Sequence, residues 1–349
     1  MGRIEMEQRK ITEPSDLLDK NGELMQVGWA SQLILKYERE KVSAGSLRIK
    51  EWDCYEIYND QFGITLIIAD VGYFGMATLD FMDFKNNFLE GDRAVTFFTR
   101  GSLNMPPSTM AGITKLVKKD KKMKFERIEN DMVLTFDFPT FGKGKGMKGK
   151  ITLDMDPKRD TLVNVIPFEN KKQFVYVQKI VDMPVNGTFT LDDKEYSFSE
   201  ENGSFGVLDW TRGVLPYKTS WYWGGGFGIV NGKRLGFNLD YGFGIETISS
   251  KNMIFYEGKG HKIDNIKFHY DKEDVMKPWK CTSSDGRFEM VIDPVMKKEN
   301  NLNMLILKTG GVQVLGYYIG DLILDDGTKI HIDKSDRVFG WAENFSHKW

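Results

Sequence analysis

Four carboxylates in the second half of this 349-residue chain stand next to large aromatic residues: Asp209 beside Trp210, Asp240 beside Tyr241, Glu257 beside Tyr256, and Glu343 in Trp341-Ala-Glu-Asn-Phe. A carboxyl group wedged against a ring loses water, and desolvation raises its pKa. Such a group can act as a general acid or protonate an alkene. Asp209, at the end of the apolar run Gly-Val-Leu-Asp-Trp, is the first candidate. Asp240 and Glu257 are second choices, and Glu343 a third. A competing reading is equally chemical: Asp209 pairs with Arg212 or Arg234 and fixes a loop, because arginine makes good bidentate partners for buried carboxylates.

Asp209 lies in a stretch, Ser204 to Gly244, that interleaves rings, charges and glycines. Its side chains suggest the wall of a pocket. The candidate ligand-binding set is Trp210, Arg212, Tyr217, Trp221, Trp223, Asn238, Asp240 and Tyr241. On a strand, Trp221 and Trp223 share one face. Lining a cavity, their indole faces could stabilise a cationic intermediate. Turned outward, they would pack against another domain.

Other chemistries find little footing. The four histidines have no partners at metal-ligand spacing, and there is no Gly-x-Ser-x-Gly elbow. The run Gly-Gly-Gly-Phe-Gly at 224–228 lacks the Lys-Ser/Thr ending of a phosphate loop. No metal and no cofactor is therefore expected. A net charge of −2 and a pI of about 6.2 exclude a general nucleic-acid binder. Two lysine-rich segments, 118–124 and 142–150, read as solvated hairpin tips, with weak contact to anionic surfaces as the functional alternative. Cys54 and Cys281 are too few for a disulfide scaffold and read as buried free thiols.

The elements that must position these residues are strands. From Leu47 onward, short runs rich in Val, Ile, Phe and Tyr are separated by turn residues every ~8–12 positions, a sandwich or barrel spacing. Asn231-Gly232, Ser284-Asp285-Gly286 and Asp325-Asp326-Gly327 mark hairpins. Helical periodicity is never sustained. Residues 1–45 read as an arm, with a turn at Asp19-Lys20-Asn21-Gly22 and a segment, Gly28 to Glu40, that fits a short helix or an extended strand. A polar stretch near 191–203 is the best candidate boundary, giving domains of 46–190 and 191–349. There is no apolar leader at the N-terminus and no apolar run of the ~20 residues that span a bilayer, so a soluble, cytoplasmic protein is expected.

Several segments resemble a known family. Asp-Trp-Thr-Arg-Gly-Val-Leu-Pro-Tyr (209–217) with Trp-Tyr-Trp-Gly (221–224) resembles the family catalogued as domain of unknown function 2804, and supporting similarity spans most of the chain. Where that family would suggest a His-Gln-type pair before the late glycine, this chain has Val312-Gln313-Val314-Leu315-Gly316. The family is distantly similar to tandem lipocalin-like proteins, among them carotenoid hydratases, AttH-type proteins and some pericyclases. The resemblance implies an all-β fold of two consecutive lipocalin-like antiparallel β-barrels packed together, the second opening on a strand that ends at Asp209-Trp210. It also implies an apolar small molecule or lipid as ligand. Three functions follow as expectations: a binder of a hydrophobic, isoprenoid-like molecule in a barrel cavity, a metal-free hydratase, cyclase or isomerase with Asp209 as proton donor, or an interaction protein with filled barrels.

Overall fold

A computed structural model describes residues 7–142, 144–303 and 308–348. Among these residues the regular structure is strand with two single-turn 3-10 helices. Two antiparallel sheets curl into barrels. The larger runs in the order 88–97, 74–83, 62–70, 49–58, 205–214, 174–191, 147–154, 131–138, 121–128, 113–118. The second runs 259–262, 253–256, 233–241, 218–230, 339–348, 308–323, 288–303, 279–283, 266–269. The expected Asn-Gly, Ser-Asp-Gly and Asp-Asp-Gly turns all join paired strands of the second sheet, and Asn231 and Gly232 both take positive φ, as a tight hairpin requires.

The two barrels do not divide at residue 191. Phe205–Val214 hydrogen-bonds to Ile49–Tyr58 on one side and to Phe174–Leu191 on the other, so it closes the first barrel rather than opening the second. The polar segment after 191 is a hairpin plus a capped turn, with Ser199 capping at its start and Gly203 left-handed at its end. The chain changes sheet at Leu215-Pro216-Tyr217.

The arm is held along much of its length. Gly28–Ala30 pairs with Leu162–Pro167, and Leu17, Leu18, Leu35 and Tyr37 are buried in the first barrel's core. The extended reading of the 28–40 segment prevails over the helical one because its apolar residues point into an existing core.

Alternation then sorts each barrel strand. In 205–214, Leu208, Trp210 and Val214 join the apolar interior of the first barrel, and Phe205 and Val207 point the other way. The second interior is filled by rings and aliphatics including Phe237, Trp279, Phe288 and Tyr318. Between the barrels lies a third apolar layer. Tyr58, Phe84, Phe205 and Val207 of the first barrel meet Trp223, Phe227, Phe255, Phe339 and Trp341 of the second.

The glycine run at 224–226 makes this layer fit. A Cβ on Gly225 would lie 2.5 Å from the Trp341 indole, and one on Gly226 would lie 2.5 Å from the Phe237 ring on the opposite face. The run is a trough for rings on both sides of one strand, not a phosphate cradle. Trp341 is fully buried and meets Trp223 edge-on at a centroid distance of 4.9 Å. Trp341→Ala is expected to cost about 3–5 kcal/mol and to split a single calorimetric unfolding transition into two, one per barrel.

Candidate functional site at the seam

Within the seam the apolar layer gives way to a polar group. Cys54, Asp209 and Lys179 form one row across three neighbouring strands of the first barrel. The Lys179 ammonium lies 2.9 Å from Asp209 Oδ1 and 4.1 Å from the centre of the Trp223 ring. The Trp52 indole N–H donates to Asp209 Oδ2 at 3.2 Å, and the Thr211 hydroxyl donates to Oδ1 at 3.0 Å. Asp209 is thus a salt-bridged acceptor, and its partner is neither arginine considered from sequence. Arg212, three residues on, faces the opposite side of the strand. It lies inside the first barrel, fully buried, with Asp53 at 2.9 Å and the Pro106 carbonyl at 2.8 Å. Arg234 is nearest to Glu200, 3.8 Å away.

Facing this row from the second barrel is the strand Phe339–Lys348, whose Glu343, Phe345 and His347 alternate onto one side. The Trp221 indole N–H donates to Glu343 Oε1 at 2.9 Å, and the Gln313 amide donates to Oε2 at 3.0 Å. Burial pushes the Glu343 carboxyl up to about 8, against the pull of the Trp221 hydrogen bond. Glu56 adds to the rise, and the Lys179 and Lys298 ammoniums oppose it. Burial thus favours the protonated form of Glu343. Glu56, on the first barrel beside Cys54, is pushed up to about 7, chiefly by burial and in spite of Lys298. Its Oε2 makes no hydrogen bond of good geometry. Lys298 reaches across the seam to Asp80 at 2.6 Å.

A second polar set borders the first. Asn238 accepts from the Trp223 indole N–H at 2.8 Å and donates to the Lys251 carbonyl at 2.7 Å. The Lys251 ammonium meets Asp240 at 2.7 Å and the Phe243 carbonyl at 2.9 Å. Burial raises the Asp240 carboxyl, and the Lys251 charge opposes it.

At one end of the seam burial is incomplete. Trp52 and Trp221 are half-buried there and pack on Val175, Val177, Leu215 and Phe243. Trp221 also lies 4.7 Å from the His347 ring, whose Nε2 is 2.6 Å from the Thr309 hydroxyl and whose pKa burial lowers to about 4.

Of the residues singled out from sequence, the fold brings together Asp209, Trp221, Trp223, Asn238, Asp240 and Glu343, at the seam rather than in a barrel cavity. Trp210 lies inside the first barrel, edge-on to Tyr176 at 5.4 Å and 4.4 Å from the Arg212 guanidinium. Tyr217 and Tyr241 are exposed, and Glu257 is an exposed partner of Lys233. The basic segments cap hairpins at the first barrel's other end, where Lys121 pairs with Asp92 and Lys145 with Asp193. Residue 143 lies outside the described residues. Among the described residues no three His, Cys, Asp or Glu side chains converge to hold a metal ion, and Cys54 and Cys281 are buried and free. Sequence reasoning missed Lys179, Trp52, Glu56 and Gln313. The available signal was a charge inside an otherwise apolar strand, as in Phe174-Val-Tyr-Val-Gln-Lys179-Ile.

The family model described as Domain of unknown function (DUF2804) matches residues 8–349, and the chain belongs to that family. No curated protein matches it in sequence. Among solved structures it is similar to CghA, with a TM-score of 0.54 at 11% identity over 96% of this chain and 97% of that one. CghA in complex with Sch210972 is similar at a TM-score of 0.53, 11% identity and the same coverage. Kievitone hydratase from Nectria haematococca is similar at a TM-score of 0.48 and 10% identity, over 96% of this chain and 98% of that one.

The Glu343 carboxyl has a definite thermodynamic signature. Its folded pKa lies above the ordinary 4.5, so the folded state holds this proton more tightly, and stability falls as pH rises from about 4.5 to 8. Compared with Glu343→Gln, the native protein should lose roughly 2–4 kcal/mol of relative stability between pH 5 and 9 in urea titrations.

Proposed function

We propose that this protein binds a hydrophobic small molecule, lipid or isoprenoid-like, at the less buried end of the seam. The observation that carries this reading is the packing of half-buried Trp52 and Trp221 on one apolar floor, with Phe243 edge-on to Trp221. Flat aromatic faces with a few fixed polar groups behind them are the usual make-up of a small-molecule site. Large side chains point into both barrels, which supports placing the ligand at the seam rather than in a barrel cavity. The same fold in CghA is recorded with Sch210972.

A second reading is favoured by one further observation, the buried Glu343 held between Trp221 and Gln313, whose carboxyl is raised by burial. In it the protein is a hydratase, cyclase or isomerase. The Glu343 proton adds to an alkene carbon, and the π pair forms the new C–H bond. The resulting cation is stabilised by the indole faces. Either water adds and loses a proton, or an adjacent carbon does, and Glu343 regains its proton from solvent. Asp209 then orients Lys179 and Trp52 and donates nothing.

Native mass spectrometry of the purified protein, with an organic extract of the same sample, should reveal a retained apolar molecule. Farnesol titration should quench tryptophan fluorescence, and Trp221→Ala should weaken that binding at least about tenfold. Glu343→Gln should still bind but convert nothing. No retained molecule and no fluorescence response to isoprenoid alcohols would remove both readings.

A further inference from the structure

The less buried end of the seam carries exposed apolar side chains on its turns. Phe97 and Phe98 are adjacent and 72% and 68% exposed, and Leu47, Tyr217, Tyr241 and Ile245 stand out in the neighbouring turns. Hydrogen bonds tie some of these turns together: Phe98 N–H donates to the Tyr73 carbonyl, Arg100 N–H to the Gly72 carbonyl, and the Arg48 guanidinium to the Leu215 carbonyl. Tyr217 leads directly into the strand that carries Trp221. Solitary exposed rings are ordinary, but several exposed apolar side chains on the turns of one end mark a contact surface.

The Phe97-Phe98 turn is also fixed. Phe98 and Arg100 both take positive φ, 56° and 52°, which non-glycine residues adopt at a cost. The buried Asp70 carboxylate holds that shape by accepting from the Thr99 hydroxyl at 2.7 Å and the Gly101 N–H at 3.0 Å. The rings are presented to solvent by a braced loop.

The charge of the same end is one-sided. Its turns contribute Arg48, Arg100, Lys171, Lys172 and Lys218, against Glu169 and Glu246, the latter 3.5 Å from Lys251. Lys218 lies directly opposite Lys348 on the neighbouring strand. Like charges so placed repel unless an anion lies over them.

We propose that this end of the molecule docks on anionic lipid bilayers, with Phe97 and Phe98 entering the interface and the basic turns lying on the headgroups. Apolar insertion combined with basic flanks is the physical recipe for binding such a surface. The charge argues against a second copy as occupant, because a two-fold contact would set each basic rim against its own image. The surface goes beyond the ligand reading, and it gives the seam a direct route from a membrane.

The test uses the full chain with vesicles of phosphatidylcholine alone or with about one third phosphatidylserine. The protein should co-sediment with the anionic vesicles at least about tenfold better than with the neutral ones, and salt should weaken the binding. Phe97→Ser/Phe98→Ser and, separately, Lys171→Glu/Lys172→Glu should each reduce it severalfold, with circular dichroism and farnesol binding unchanged. Failure of the wild-type chain to bind anionic vesicles overturns the proposal, as does equal binding by the phenylalanine variant. Concentration-dependent dimerisation abolished by that same variant would assign the patch to a second copy and overturn it too. Farnesol binding is read separately, so loss of one result leaves the other standing.

Discussion

Each curled sheet satisfies most of its own backbone, so the two barrels are joined mainly by side chains, beside backbone bonds such as Asp160 N–H to the Gly258 carbonyl and Ile245 N–H to the Pro167 carbonyl. Here that junction is the packing of two outer faces, made dense by glycines that let the Trp341 and Phe237 rings approach one strand from both sides. Such a junction is a second core and obeys the close-packing of one. Every polar group in it must then find a partner inside the layer. Lys179 with Asp209, Lys298 with Asp80, and Lys251 with Asp240 are those partnerships, and Glu343 meets the same demand by favouring its protonated form.

The all-β architecture was legible because alternation and turn chemistry act over a few residues. Asn231-Gly232 and its counterparts stand where their types predict. The boundary was not legible. That Phe205–Val214 belongs between Ile49–Tyr58 and Phe174–Leu191 is a pairing between segments about 150 residues apart, and no local signal encodes it. The polar run after 191 looked like a linker because a hairpin tip and a linker have the same composition.

The site was half legible for a related reason. Aromatic density pointed to Trp221 and Trp223, and period two put them on one face, but which face met what required the fold. The same period separates Asp209 from Arg212, since an odd spacing sends two side chains to opposite sides of a strand. Lys179, a strand away in space, pairs with Asp209, while Glu343 has only uncharged hydrogen-bond donors, and no local pattern in the sequence separates these two settings.

The late position of Phe205–Val214 in the chain has a consequence for biosynthesis. Until that strand has left the ribosome, Ile49–Tyr58 and Phe174–Leu191 face each other as unpaired edges. More than half of the nascent polypeptide must therefore wait in an open, edge-exposed state that invites pairing with other chains. The second barrel repeats the delay, because Lys218–Val230 must wait for Phe339–Lys348 to pair beside it. The order of synthesis thus leaves each barrel open until a late strand enters between two early ones, and both place the same demand on chaperones.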